Sequence, residues 1–140
     1  MKYGEVLFSL LIDLQGIFRR KIKIDGASFP QILALTVIPH DGIEMSSLSK
    51  QLGLDNSTVT RLIIGLEKKG WLIRKKHQND NRIIKVFLTS DGERKQLQLE
   101  KKIDELGLLI ENETDPFLRS ELLEHLCSLH WTLSTFMLKK

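Results

Sequence analysis

Apolar residues recur at helical spacing in six stretches of this chain and alternate in one. From about Gly4 to Lys21, Leu7, Leu10, Leu11, Leu14, Ile17 and Phe18 make one broad stripe, while Ser9, Asp13 and Arg20 face elsewhere. Ser28 is a helix cap with Pro30 in the first turn, and Ile32, Leu33, Leu35, Val37 and Ile38 follow before Pro39 ends the element. His40-Asp41-Gly42 reads as a tight turn and Ile43 to Met45 as a short strand. Ser46 or Ser47 then caps a short helix carrying Leu48 and Leu52, with Gly53 as its stop. Asp55 caps the next helix, where Val59, Leu62, Ile63 and Leu66 fall at i, i+3, i+4 and i+7, and Gly70 ends it.

Beyond Gly70 the period changes. Ile84, Val86 and Leu88 alternate with Lys85 and Phe87, so this segment and Trp71 to Lys76 form a two-stranded ribbon around the polar tip His77 to Arg82. Thr89 caps a long helix whose stripe is Leu99, Ile103, Leu106 and Ile110. Glu113-Thr114-Asp115-Pro116 interrupts it. A last helix from about Phe117 to Leu138 carries Leu118, Leu122, Leu126, Leu129, Leu133, Phe136 and Met137. The pattern is mainly α with a small β-wing: a winged helix–turn–helix over residues 25–95, between helical segments 1–24 and 96–140. Those terminal helices have broad stripes and no further core to join, which predicts that they pair with a second copy as a homodimer.

Charge divides the chain further. Eleven Lys/Arg stand against six Asp/Glu from Glu44 to Lys95, but three against eight from Gln96 to Leu126. One face should therefore meet a polyanion and the other should avoid it. The single cysteine, Cys127, excludes an intramolecular disulfide. Glu5 and Asp13 interrupt the first apolar residues, so no signal-peptide layout is expected, nor is a membrane span. The expectation is a cytoplasmic protein.

The helix starting after Asp55 presents Asn56, Ser57, Thr58, Thr60 and Arg61 away from its apolar stripe. Short hydroxyls at a helix N-terminus followed by an arginine suit entry into a major groove of double-stranded DNA, with Arg61 able to bond guanine bidentately. Ser46, Ser47 and Ser49, with Lys50, lie where the preceding helix would cross a phosphate backbone, and Arg74, Lys75 and Lys76 line the ribbon, where they would meet phosphates. Arg82 at the tip should enter the minor groove, oriented by Asp80. Gly65 costs its helix about 1 kcal/mol against alanine and therefore marks a close approach, by DNA or by another part of the chain.

At Ser57-Thr58-Val59-Thr60-Arg61-Leu62, Leu66-Glu67-Lys68-Lys69-Gly70 and Asp80-x-Arg82-x-x-x-Val86-x-Leu88-Thr89-x-x-Gly92, the chain resembles the multiple-antibiotic-resistance-regulator (MarR) family of transcription regulators. It departs at Ile64-Gly65, where members commonly carry an acid and a base, and at Asn81, often an arginine; both departures remove possible phosphate contacts. The resemblance implies interlocked terminal helices in a dimer, repression at a pseudo-palindromic operator with half-sites about 34 Å apart, and a small-molecule effector. It places a candidate effector pocket at Phe8, Phe18, Phe29, His40 and Trp131, residues equally explained as core.

No catalytic constellation occurs, no cofactor is implied, and no metal site is expected, because His125, Cys127 and His130 do not share a helix face. Cys127 reads as a packed thiol, with no basic neighbour in sequence to activate it. Two alternatives stand beside the DNA-binding regulator. One is a winged-helix protein-interaction module without DNA binding; the other is an oxidant-sensing regulator acting through Cys127.

Overall fold

The computed structural model describes residues 1–138, and among these are six helices and three strands. In chain order they are α1 (Tyr3–Lys21), α2 (Phe29–Val37), β1 (Ile43–Glu44), α3 (Met45–Leu52), α4 (Asn56–Lys68), β2 (Leu72–His77), β3 (Asp80–Leu88), α5 (Ser90–Glu113) and α6 (Arg119–Leu138). The strands form one antiparallel sheet in the order β1-β3-β2. Residues up to Ile103 make one compact unit, and the chain from Asp104 onward makes a second.

The core of the first unit gathers around α4. Val59, Ile63 and Leu66 are fully buried and Leu62 is half-buried, so three of the four expected stripe positions are inside. The helix packs against α2, α3 and β2, whose Leu35, Leu48 and Leu72 are also fully buried. Burying each such side chain contributes about 1.5–3 kcal/mol. Ile43 pairs with Val86 and Glu44 with Lys85, which makes the expected short strand real.

That pairing also moves the start of α3. Neither Ser46 nor Ser47 caps it: the chain passes from β1 directly into the helix, with Glu44 at the N-cap and no side-chain cap bond. Both serines therefore sit in the first turn. Ser28, by contrast, caps α2 as expected, with its hydroxyl accepting from the Gln31 N–H at 3.3 Å while the Gln31 carboxamide accepts from the Ser28 N–H at 3.0 Å.

Gln31 answers the question posed by Gly65. A Cβ at Gly65 would lie 2.5 Å from Gln31 Nε2, so the close approach is made by α2. A second close approach explains Gly92, whose Cβ would collide with the Trp71 carbonyl where α5 leaves the sheet. Thr89 joins the same corner. Its hydroxyl donates to the Gly70 carbonyl at 2.5 Å and accepts from the Gly92 N–H at 3.1 Å, and its N–H donates to the Trp71 carbonyl at 3.0 Å. Further along α5, the Gln96 carboxamide donates to the carbonyls of Leu35 and Ile38 at 2.9 and 2.8 Å, satisfying the open end of α2.

The remaining helices differ from this core. No residue of α1 is buried, and none of α6, although both carry the expected apolar stripes. Tyr3, Phe8 and Leu11 on α1 are exposed in the first unit, as are Leu122, Leu126 and Leu133 on α6 in the second. The last helix starts at Arg119, two residues after Phe117, because Asp115 to Leu118 form a turn closed by the Leu118 N–H on the Asp115 carbonyl. Arg119 reaches back to the carbonyls of Thr114 and Asn112. No described helix is long and apolar enough to cross a membrane.

The contact between α2 and α4 is testable by a double-mutant cycle. In a Gln31→Ala background, Gly65→Ala should stabilise the chain by about 0.8–1 kcal/mol through helix propensity. With Gln31 present the gain should shrink or reverse, giving a coupling of at least about 0.5 kcal/mol in urea unfolding. Equal effects in both backgrounds would remove Gln31 as the reason for the glycine.

Candidate nucleic-acid interface

The exposed end of α4 is organised by Asp55. Its carboxylate accepts the Thr58 N–H at 2.7 Å and the Ser57 hydroxyl at 2.9 Å. Those bonds, from Thr58 first and then Ser57, with the positive charge of Arg61 nearby, hold the carboxyl at about 2 against an ordinary 3.8. Arg61 leans back along the helix, its guanidinium 3.4 Å from the Thr58 hydroxyl, and Thr60 donates to the Asn56 carbonyl at 2.7 Å. Asn56, Ser57 and Arg61 are exposed, while Thr58 and Thr60 are half-buried with their hydroxyls engaged on the helix itself. The helix thus presents a polar end already ordered before any ligand arrives.

The ribbon stands beside that end. Its tip is tighter than the six polar residues suggested: β2 runs to His77 and β3 begins at Asp80, which face each other across a two-residue connection, with a register irregularity between Lys76 and His77. Asp80 orients Arg82 as expected. Its carboxylate accepts from the Arg82 backbone N–H at 2.9 Å and from the guanidinium at 3.1 Å through both oxygens. The bonds from the Arg82 side chain, and secondarily from its backbone, lower the Asp80 pKa. The Arg82 side chain remains 90% exposed.

An open cleft of about 230 Å³ is shared by α3, α4 and β3 and brings Ser46, Asn56, Thr60 and Arg82 to one place. Ser47 is exposed nearby in the first turn of α3, and Lys76 is exposed on β2. Two expected phosphate contacts are otherwise committed. Arg74 makes a bidentate ion pair with Glu67, at 3.0 and 3.3 Å, tying the ribbon to the last turn of α4. With both side chains about two-thirds covered, Arg74 is a structural tie and no longer a free cation. Ser49 is buried, its hydroxyl bonded to the Met45 carbonyl.

A family model for the MarR family matches residues 30–84, the stretch running from the start of α2 into β3. The organic hydroperoxide resistance transcriptional regulator of Bacillus subtilis is 32% identical over 84 residues, 59% of this chain and 55% of that protein. The transcriptional repressor MprA of Escherichia coli is 33% identical over 84 residues, 60% of this chain and 48% of that one. A MarR transcriptional regulator from Methanosarcina mazei superposes with a TM-score of 0.78 at 26% identity, covering 95% of this chain and 96% of its own. Over residues 30–84 the chain is similar to the MarR family.

Its match to the curated MarR relatives above spans about half their length. The fold is shared more widely: Streptococcus pneumoniae FabT, solved in complex with DNA, superposes at a TM-score of 0.73 and 21% identity over 95% of this chain and 96% of that chain. The five candidate effector residues differ in their surroundings. Phe29 is half-buried with the Arg19 guanidinium 4.7 Å above its ring, and the exposed His40 pairs with Glu93 at 3.1 Å. Phe8 is exposed and Phe18 half-buried; Trp131, exposed, belongs to the second unit. The clefts beside the ribbon take none of the five.

Cys127 also departs from the expected packed thiol, because it is exposed on α6. His125 pairs with Glu121 at 3.6 Å, and no group of three metal-ligating side chains occurs among the described residues. Glu67, the partner of Arg74, was not legible beforehand. The two are seven residues apart across a helix end and a turn, a separation with no local rule to pair them.

Asp55 gives the site a pH signature. Its lowered pKa means stability that is fully present above about pH 4 and is lost as pH falls toward 2. Asp55→Asn keeps a capping oxygen but does not titrate. Chemical denaturation of wild type should therefore weaken between pH 4 and 2 more steeply than that of Asp55→Asn. Parallel profiles would remove Asp55 as the titrating cap.

Proposed function

We propose that this chain is a homodimeric transcription regulator that binds double-stranded DNA, with α4 in the major groove and Arg82 at the minor groove. The observation that carries the reading is the convergence of Asn56, Thr60 and Arg82, from helix and ribbon, on one open cleft, with Arg61 exposed on the same helix. In this arrangement Asn56, Ser57, Thr58, Thr60 and Arg61 read base edges or adjoining phosphates, while Ser47 and Lys76 position the protein on the backbone. Asp80 is a positioning residue. By fixing the Arg82 guanidinium before binding, it reduces the side-chain freedom lost when the tip enters the groove.

Residues 1–24 and 96–140 serve as the dimerisation segments. Support comes from α1 and α6, whose apolar stripes lack a cover within their own units. A dimer would bind a pseudo-palindrome with half-sites about 34 Å apart, and occupying a promoter would repress it. The repressor MprA among the relatives, and FabT among the neighbours crystallised with DNA, agree with this reading. An effector acts, in this proposal, by binding one relative arrangement of the two heads more tightly than another. PcaV from Streptomyces coelicolor, a neighbour of like fold at a TM-score of 0.69, was solved with its natural ligand.

The reading is tested by fluorescence anisotropy on a labelled duplex across a salt series. Wild type should lose affinity linearly in log[salt], and Arg82→Ala should flatten that slope by about 0.9 for the phosphate charge it no longer neutralises. A winged helix that only holds a partner protein would show no such dependence on duplex. In that case DNA binding would be abandoned.

A further inference from the structure

The ribbon has a second face that the cleft beside α4 does not use. Val86 is fully buried, so Ile84 and Leu88 share its side of β3 while Lys85 and Phe87 take the other. Cross-strand pairing places Lys75 opposite Lys85 and Ile73 opposite Phe87 on that outer face. Both ammonium groups lie over the Phe87 ring, Lys75 at 5.5 Å and Lys85 at 5.4 Å from its centre. The ring is backed by the turn before β1, where a Cβ at Gly42 would come within 2.6 Å of it. Lys75, Lys85 and Phe87, with the tip from Lys76 to Asn79, line an open cleft of about 490 Å³.

Two like charges directly opposite in a ladder repel, and a phenyl face only partly compensates them. Neither lysine has a carboxylate partner among the described residues; Lys85 has only a long bond, 3.4 Å, to the Asp41 carbonyl. Such a pair is built to share an anion. A ribbon whose tip enters the minor groove has a phosphate backbone along each side, because that groove is only about 6 Å wide. One backbone then faces the α4 side of the ribbon, and the other faces Lys75 and Lys85.

We propose that Lys75 and Lys85, held apart and aimed by Phe87, clamp the phosphate backbone on the outer wall of the minor groove. The ribbon is thereby gripped on both faces. This inference rests on the DNA-binding reading above and assigns that interface a further subsite. Phe87 is a positioning residue here, since it acts through the lysines and not on the phosphate.

The test uses the full chain and a labelled duplex of mixed sequence across a salt series of about 50–200 mM. Lys75→Ala/Lys85→Ala should reduce the salt slope by about 1.8 per bound chain, about 0.9 for each contact. Lys75→Gln/Lys85→Gln should do the same while keeping side-chain bulk over Phe87. Lys68→Ala/Arg94→Ala, which removes equal charge from two exposed positions outside the proposed DNA contacts and the dimerisation segments, should keep the wild-type slope. A wild-type slope in both lysine variants would overturn the clamp while leaving DNA binding intact, as would an equal loss in the control. If inorganic phosphate at matched ionic strength then shifts the Phe87 ring resonances, the cleft belongs to a small anion instead. No salt-dependent duplex binding by wild type would overturn both readings together.

Discussion

The geometry of this head depends on the hydrogen bonds made by Thr89. One hydroxyl links the end of α4, through the Gly70 carbonyl, to the first turn of α5, through the Gly92 N–H, while the same residue's backbone holds Trp71 at the root of β2. Three elements that could otherwise splay are fixed at one corner. Gly92 is part of the same constraint, because any side chain there would force α5 off the Trp71 carbonyl. The Glu67–Arg74 ion pair fastens the ribbon to α4 a few residues away. The angle between helix and ribbon is therefore set twice, once by neutral bonds and once by charge. Pre-setting that angle lowers the ordering cost of engaging two grooves at once.

The distribution of cations follows from these demands. Arg74 serves the fold, and Arg82 is chelated by Asp80 yet remains exposed at the tip. Lys75, Lys76 and Lys85 carry no such carboxylate ties among the described residues. Arginine occupies the two places where a planar fork meets a carboxylate bidentately, and lysine the places where a mobile point charge suffices. The departure at Asn81 fits this arrangement, since the ribbon has further basic residues on both strands.

Much of the fold was legible from local rules. Ser28, Asp55 and Thr89 cap where short polar side chains precede apolar stripes, and Gly70, with φ at 79°, ends α4 as a glycine after a last turn should. The alternation from Ile84 to Leu88 found the ribbon because one face had to be buried. What escaped were contacts made across the fold. Glu44 displaced the serines as the α3 cap because strand pairing decided where that helix begins. Ser49 and Arg74 looked like free polar groups because their partners, a carbonyl one turn back and a carboxylate in another element, leave no mark on periodicity. The partners of two effector candidates were equally hidden, since no local rule pairs Phe29 with the Arg19 guanidinium or His40 with Glu93.

The Gln96 carboxamide has a consequence of a different kind. It fastens α5 to the end of α2 with two neutral hydrogen bonds, so neither added electrolyte nor ordinary acidity has a charge there to act upon. Ionic strength high enough to strip a nucleic acid from the head leaves this rivet in place. Release by salt and loosening of the scaffold are thus chemically separate events, and the freed protein should be ready to rebind without refolding.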